Sequence, residues 1–430
     1  MRVEYKKIVK TGYNLHVIKT DRFKTVQMRV HLKRPIKKDE ITIRNILNDI
    51  LINTTKKYPT IRDIEIKTED LYNFEAGSNS YKSGNYSIMS LSCTFLDEKF
   101  TEAGVLDESI KFFMDFLMEP NVVDGKFDSN AFTYTKECLK NYIESIKDNP
   151  RQYSVLRLRE EMDLDSPISY RSCGYIEDLE KITEENLYEY YLDVLKNDVI
   201  DIFIIGNVDS SRIENIIDEC INIERVQPTY ELGHSIDNTE IRGDIKEVEE
   251  IEPINQSKLS LGIKVYDMDD YEKKYTLNAL SFILGGSGDS KLFKKLREEN
   301  SLCYYVSCSP SMLSSDMIVT SGIDGADYEK AVELIKEAIL DIQNGNVTDT
   351  EVQNEISVYV NSCFEIYDSP SSILNNYLSH EYLGNDLIED KIIKAKEMTK
   401  EKIIELARKI KIDTIYLLKG GALDAESSSN

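Results

Sequence analysis

Residues 125–150 read GKFDSNAFTYTKECLKNYIESIKDNP and residues 345–370 read GNVTDTEVQNEISVYVNSCFEIYDSP, and this repeated stretch decides the fold. The offset is 220 residues, and each stretch predicts a helix that ends before an Asp-x-Pro triplet, with a second helix after it. Residues 182–187 match residues 398–403 at an offset of 216, and a β-branched run follows each match. We therefore interpret the chain as a duplication in which each copy closes with a helix and a strand.

The beginnings of the two copies also correspond. Residues 25–32 (TVQMRVHL) and 258–265 (KLSLGIKV) alternate as strands do, and each precedes a helix. Strands followed by helices, without strict alternation of the two, predict an α+β fold. We expect two homologous halves, each a mainly antiparallel sheet with helices packed on one face.

The stretch between the copies predicts a linker. Residues 225–253 are rich in charge and turn formers and have no sustained apolar period. The predicted domains are therefore residues 1–224 and 254–421, and residues 422–430 form a predicted disordered tail.

Composition limits the classes of function. The 53 Lys and Arg residues against 77 Asp and Glu residues give a net charge of −24, which argues against nucleic acid as a partner. No apolar run reaches the ~18 residues of a membrane span, and the N-terminus has no apolar signal segment. The seven cysteines form no Cys-x-x-Cys pair. We expect a cytoplasmic protein with reduced thiols and no membrane span.

A helix predicted over residues 39–56 carries the first group of candidate site residues. Its apolar stripe leaves Asn45, Asn48 and Asp49 together at spacings i, i+3 and i+4, as in a pair of helical metal ligands with an intervening base. Two amides and one carboxylate are poor zinc ligands, because zinc favours His and Cys. On spacing alone, the alternative of a solvated polar face is favoured, and no metal is expected in this chain.

A glycine-rich segment near residue 285 precedes the second group of candidates. LGGSGDSK (residues 284–291) does not match a phosphate-binding loop and is better explained as a helix entry. Arg297 closes the following helix and Tyr304 opens the next strand, so their side chains could converge on a peptide carbonyl. Without further context, a helix C-terminal arginine and a half-buried tyrosine explain the same pattern.

The assembled pattern resembles the insulinase or pitrilysin-like metallopeptidases (inverzincins), whose subunits are built from duplicated α+β halves. That family carries H-x-x-E-H on the first-half helix, where this chain has Asn45-Ile46-Leu47-Asn48-Asp49 before TTKKYP at residues 54–59. Both histidine ligands and the general-base glutamate are thus replaced. The third ligand would fall near Asn141 or Tyr142, and Glu137 and Glu144 lie close enough to leave this alignment open.

The second-half motif of the family is better preserved. LGGSGDSKLF and LREENSLCY, over residues 284–304, resemble G-G-x-x-S-x-L-F…L-R-E-x-x-x-L-x-Y. The resemblance implies that Arg297 and Tyr304 contact the substrate backbone. It also implies that a peptide substrate adds as a strand beside residues 74–81, where Gly77 and Ser78 would allow a close backbone approach.

The resemblance implies a division of labour between subunits. Some members of the family pair a zinc-bearing subunit with a homologue that keeps the Arg/Tyr half, and this chain fits the second kind. The leading hypothesis is therefore a non-zinc subunit of a heteromeric metalloendopeptidase, with a zinc-motif homologue as partner and peptides or unfolded proteins as substrates. The alternatives are an inactive scaffold or peptide-binding homologue and, less favoured, an independent zinc endopeptidase.

A narrower resemblance concerns one branch of the family. Residues 56–60, 70–72 and 83–86 resemble a zinc-less branch from Gram-positive bacteria that is associated with the modification of elongation factor P. Elongation factor P modification, peptide maturation and general turnover all stay open at this point.

Overall fold

The chain folds into two compact units, in a computed structural model that describes residues 3–238 and 241–421. Unit 1 comprises the chain up to Glu144, Arg171–Leu232 and Ile366–Leu383. Unit 2 comprises Ser145–Tyr170, Gly233–Glu365 and the chain from Gly384. Within the described ranges, no helix has both the length and the apolar character to cross a bilayer. The predicted tail, residues 422–430, lies outside the described residues.

Unit 1 is built on a six-stranded sheet. In chain order its elements are β1 (Glu4–Val9), β2 (Asn14–Lys19), β3 (Thr25–Pro35), α1 (Ile41–Leu51), α2 (Ile61–Asp70), β4 (Glu75–Ser83), β5 (Tyr86–Leu96), α3 (Val105–Met118), the short hairpin β6 (Val122–Val123) and β7 (Lys126–Phe127), α4 (Ser129–Ser145), α6 (Ile176–Leu179), α7 (Glu184–Asn197), β8 (Val199–Gly206), α8 (Ser210–Cys220) and α12 (Pro370–Leu383). The strand order is β1-β2-β8-β3-β5-β4, and among these pairs β2 and β8 run parallel while the others are antiparallel.

Unit 2 repeats this plan on a five-stranded sheet. Its elements are α5 (Pro150–Met162), β9 (Lys246–Glu252), β10 (Ser257–Val265), α9 (Leu277–Ser281) between π-helical turns (Glu272–Thr276 and Phe282–Gly286), a π-helical stretch (Phe293–Glu299), β11 (Cys303–Ser311), β12 (Asp316–Ile323), α10 (Tyr328–Gln343), α11 (Asp349–Glu365), α13 (Ile388–Ala395), α14 (Lys400–Ala407) and β13 (Ile410–Gly420). The order is β11-β12-β10-β13-β9, with β13 and β9 parallel. The prediction of two homologous α+β halves with mainly antiparallel sheets is confirmed.

The alternation of the central strands separates two faces of each sheet. In β3, Val26, Met28, Val30 and Leu32 are buried in the main core of unit 1, together with residues of α1, α3 and α7. Leu259, Leu261 and Ile263 of β10 take the same place in the main core of unit 2. The side chains between them point to the other face of the sheet, and in β10 this second face is also largely buried.

The other face of each sheet is covered by a helix from the opposite half of the sequence. The repeat holds residue by residue: α4 and α11 start at residues 129 and 349, and α5 and α12 start at Pro150 and Pro370. However, α5 packs on β10 and β13 in unit 2, and α12 packs on β8 and β3 in unit 1. We call α5 and α12 the exchanged helices. The expected helices on one face are present, and each sheet has this additional helix on its second face.

The exchange makes the compact units differ from the linear division expected from the sequence. Residues 145–170 belong to unit 2 and residues 366–383 to unit 1. The stretch expected to be a linker, residues 225–253, is partly built into the units. The side-chain amide of Gln227 bonds both backbone groups of Ile200 at 2.8 and 3.1 Å, and residues 246–252 form β9. A polar contact of Gln227 with the backbone of β8 therefore fixes part of a stretch that has no apolar period.

A buried carboxyl in unit 2 makes the stability of the protein depend on pH. Glu355 of α11 is 6% exposed, and burial raises its pKa to about 7. A group whose pKa rises on folding stabilises the fold below its unfolded pKa of 4.5, and this contribution is lost as the pH rises through 7. Urea unfolding should therefore show a free energy of unfolding about 2–3 kcal/mol lower at pH 8 than at pH 5 from this group.

Substitution isolates the contribution of Glu355. We expect Glu355→Gln to remove most of this pH dependence, while Glu365→Gln, an exposed position on the same helix, keeps it. Equal pH dependence in the Glu355→Gln protein and the wild type would contradict this assignment.

Candidate functional site

A buried ion-pair network holds α1 on the sheet of unit 1. Asp198, which is fully buried between α7 and β8, accepts hydrogen bonds from Arg34 of β3 and from Arg44 of α1, the latter at 2.8 Å. Arg44 also donates to the carbonyl of Leu32 at 2.9 Å, and Arg34 reaches Asp193 at 2.7 Å. These contacts fix the position of the helix that carries the candidate metal residues. Residues so distant in sequence gave no local signal of this network.

The three candidate residues of α1 are bonded to the protein around them. Asn45 donates to the carbonyls of Ile41 and Ser172 at 2.9 and 2.8 Å. Asn48 is fully buried, and its amide nitrogen lies 3.5 Å from a carbonyl of β5. Asp49 accepts a hydrogen bond from Ser78 of β4 at 2.7 Å, and burial raises the pKa of its carboxyl. The expectation of a solvated polar face is wrong, because these side chains attach α1 to a loop and to two strands.

This donor set does not fit a zinc ion. Amides and one carboxylate in hydrogen bonds offer neither the imidazole nor the thiolate that zinc prefers. In the described ranges, no group of three or more His, Cys, Asp or Glu side chains is arranged to hold a metal. The four positions considered for a third ligand, Glu137, Asn141, Tyr142 and Glu144, are exposed on α4.

Gly77 and Ser78 lie on β4, the edge strand of the unit 1 sheet. β4 pairs with β5 on one side, and no described strand pairs with its other side. The side chain of Ser78 turns toward α1, and the hydroxyl of Ser92 donates to the carbonyl of Gly77 at 3.3 Å. An edge of this kind presents backbone N–H and C=O groups that an extended peptide can use.

Arg297 is exposed at the end of the π-helical stretch Phe293–Glu299. Ser301 has a left-handed backbone (φ 53°), and the N–H groups of Ser301 and Leu302 donate back to the carbonyls of residues 297 and 296. The chain therefore turns directly from the helix into β11. The Arg297 guanidinium lies 4.9 Å from the Phe293 ring centroid. Burial raises the pKa of the Cys303 thiol and the charge of Arg297 counteracts it, so Arg297 lies near the start of β11.

A β-bulge directs Tyr304 into solvent. The register of β11 against β12 shifts between Cys303 and Val306, so Tyr304 and Tyr305 together oppose Gly322. A Cβ at Gly322 would meet the Tyr305 ring at 2.7 Å, which explains the glycine. Tyr304 is 82% exposed, because bulges re-aim side chains. The expectation of a half-buried tyrosine is wrong, and no local signal in the sequence marked the bulge.

Arg297 and Tyr304 share one property. Within residues 3–238 and 241–421, neither side chain makes a hydrogen bond or an ion pair, and they do not bond each other. Their donors are therefore available to a molecule outside the chain.

The glycine-rich segment before Arg297 has a packing role. A Cβ at Gly285 would lie 2.8 Å from the Cβ and 2.9 Å from the backbone nitrogen of Cys308, so the helix contacts β11 backbone to backbone. This contact fixes the helix against the strand that carries Tyr304.

Comparisons with known proteins identify the class of protein. The family model described as the peptidase M16 inactive domain matches residues 181–359. The chain is 29% identical over 417 residues to the probable inactive metalloprotease YmfF of Bacillus subtilis, covering 95% of this chain and 96% of YmfF. The chain is therefore similar to the peptidase M16, or insulinase-like, family, and its residues 181–359 match the inactive domain of that family.

Two further similarities agree with this assignment. A crystal structure of a conserved protein from Enterococcus faecalis superposes with a TM-score of 0.90 at 27% identity, covering 97% of this chain and 99% of that one. The uncharacterized zinc protease YmxG of Bacillus subtilis is 26% identical over 312 residues, which cover 72% of this chain and 74% of YmxG. The resemblance inferred from the sequence motifs is therefore confirmed at the level of the family.

Proposed function

We propose that this chain is the non-zinc subunit of a heteromeric M16 endopeptidase and supplies Arg297 and Tyr304 to the substrate. The observation that carries the proposal is the exposure of both side chains, neither of which has a hydrogen-bond or ion-pair partner among the described residues. An exposed guanidinium and an exposed phenol keep their hydrogen-bond donors free for a ligand. Their positions are held by a turn and a bulge, as expected for binding groups rather than for surface residues without constraint.

The chemistry of these two groups suits a peptide backbone. The guanidinium offers several N–H donors and the phenol offers one O–H donor, and both can bond a carbonyl oxygen. Donors aimed at a carbonyl hold the scissile bond and stabilise negative charge that develops on its oxygen. In the proposed pair, the zinc of the partner subunit supplies water activation.

The free edge of β4 supports a second part of the proposal. An extended substrate would add to β4 through backbone hydrogen bonds beside Gly77 and Ser78, which tolerates many sequences. Ser78 also links this edge to Asp49 of α1. The helix α1, in which the metal-motif residues are replaced, would therefore support the substrate-binding strand β4 without taking part in the reaction.

A scaffold or peptide-binding protein is the second candidate. The name of YmfF as a probable inactive metalloprotease favours it, since that relative covers nearly the whole chain. In this case Arg297 and Tyr304 bind peptides or partners and no hydrolysis depends on them. An independent zinc endopeptidase is disfavoured, because the donors of α1 are amides that already bond neighbouring backbone groups.

Hydrolysis of an unstructured fluorogenic peptide library tests these alternatives. The chain, an H-x-x-E-H homologue of the YmxG type from the same cell, and their mixture are assayed at equal concentrations. Activity in the mixture that exceeds the sum of the separate proteins supports a divided active site. If the homologue alone cleaves as well as the mixture does, the subunit proposal is wrong and the scaffold or peptide-binding role is the explanation that stands. Activity of this chain alone that a chelator abolishes would instead support the independent enzyme.

A further inference from the structure

The exchanged helix α12 covers a polar face of the unit 1 sheet. On β3, Gln27, Arg29, His31 and Lys33 point away from the main core and lie under this helix. Gln27 accepts a hydrogen bond from Ser371 at 2.7 Å, and Arg29 donates to Asn375 at 2.5 Å. The apolar contribution is a cluster in which Ile373 and Leu374 meet Ile18, Phe203 and Ile205, and Tyr377, Leu378 and Tyr382 of α12 pack against it. Docking of α12 therefore combines polar contacts with an apolar cluster.

His31 occupies the centre of this interface as a neutral imidazole. The hydroxyl of Tyr382 donates to Asp201 at 2.9 Å, and this uses its single hydrogen. His31 Nδ1, 3.2 Å from the same hydroxyl oxygen, must therefore carry the hydrogen and donate it. His31 Nε2 is then a bare acceptor, and it is buried with no hydrogen-bond partner. Burial lowers the pKa of His31 to about 3.

A proton on His31 Nε2 would find no acceptor. The charged and titratable groups around His31 are Arg29 and Lys33 of β3, His16 of β2, Asp201 of β8, Tyr81 of β4 and Tyr382 of α12. Among them, Asp201 bears the negative charge, and it already accepts hydrogen bonds from Asn14 and Tyr382. The second carboxylate on this face, Glu381 of α12, accepts hydrogen bonds from Tyr5 and Lys7 of β1, each at 2.6 Å. His16 differs, because its Nε2 lies 3.8 Å from the Asp201 carboxylate.

We propose that α12 is an acid-sensitive latch, which leaves the unit 1 sheet when His31 is protonated. Opening the helix exposes the imidazole to water and gives the added proton an acceptor. The latch is a property of the fold and does not depend on the peptidase role.

The second exchanged helix, α5, is an internal control. It docks on the unit 2 sheet through Ser154, whose hydroxyl lies 3.0 Å from that of Ser260, and through Lys264, which reaches Asp163 at 2.8 Å. Arg159 of α5 also bonds the buried Asp316 of β12. Neither α5 nor β10, β12 or β13 contains a histidine. Acidification from pH 7 to pH 5 should therefore weaken α12 selectively.

Hydrogen–deuterium exchange of the full chain at pH 7 and pH 5 tests the latch. With an open-state pKa near 6.5 for His31, protection factors of α12 amides should fall about 25-fold, while those of α5 change less than threefold. Equal changes in the two helices of the wild-type protein would overturn the proposal without the need for any variant.

Two substitutions assign the effect to His31. In the His31→Gln protein, where a neutral amide can still donate to Tyr382, the protection of α12 should no longer depend on pH over this range. The matched His16→Gln protein should keep the wild-type dependence. If His31→Gln retains the 25-fold change, another group controls the helix and the latch assigned to His31 is wrong.

Discussion

Replacing Arg297 with alanine is expected to lower the peptidase activity of the reconstituted pair by roughly 100-fold, the effect of removing one donor to a developing oxyanion. Arg297 is exposed at the helix end and bonds nothing else in the described chain, so truncation should leave the fold intact. Initial rates at saturating and limiting peptide separate kcat from kcat/KM. A loss in both by the same factor would indicate that Arg297 acts mainly in the transition state.

Two further variants test whether the loss of activity is specific to the proposed binding groups. Tyr304→Phe removes one hydroxyl at a position that is 82% exposed, and should also lower activity without a change in stability. Lys294→Ala removes another exposed cation from the same stretch and should leave activity unchanged. Equal losses of activity from Arg297→Ala and Lys294→Ala would point to a general effect of charge. If neither Arg297→Ala nor Tyr304→Phe lowers the activity, the scaffold is favoured.

Asp198→Asn is expected to lower the free energy of unfolding by about 3–5 kcal/mol, since it leaves the buried guanidinium of Arg44 without a carboxylate and removes one carboxylate from Arg34. Asp198 is fully buried, and it bonds Arg34 and Arg44, which are 5% and 1% exposed. The substitution keeps the shape of the side chain, so packing loss contributes little. Equilibrium unfolding in urea at pH 7 measures the effect.

Asp193→Asn is the matched control for this substitution. Asp193 bonds the same Arg34 at 2.7 Å, but its side chain is 43% exposed. Exposed ion pairs contribute about 0–1 kcal/mol, so the control should lose no more than this. Losses of similar size at both positions would mean that burial does not determine the strength of this network.

The sequence was sufficient to predict the duplicated α+β fold because its signals are local. Alternation in residues 25–32 and 258–265 predicted the central strands of both sheets, and Asp-x-Pro marked the start of the exchanged helices. The sequence could not predict on which sheet each of those helices packs. The polar residues of β3 that α12 covers look like an exposed strand face, and nothing in residues 370–383 indicates on which sheet the helix packs.

In the candidate site, too, local motifs in the sequence were predictive, whereas contacts between distant residues could not be predicted. The motif around residues 284–304 led to Arg297 and Tyr304, whose roles stay a proposal. Their exposure depends on a bulge opposite Gly322, which is set by strand pairing and not by neighbouring residues. For Asn48 and Asp49, residue spacing alone favoured side chains that are exposed to solvent. The structure instead buries Asn48 and bonds Asp49 to Ser78, through contacts with strands far along the chain.

The exchange of α5 and α12 also has a consequence for synthesis on the ribosome. The N-terminal sheet has all of its strands once Gly206 has emerged, but the helix that covers its polar face ends at Leu383. At roughly 5–20 residues per second, the nascent chain must wait about 9–35 s for that helix. Throughout this interval the face that bears His31 is uncovered, and the N-terminal half is a folding intermediate open to chaperones.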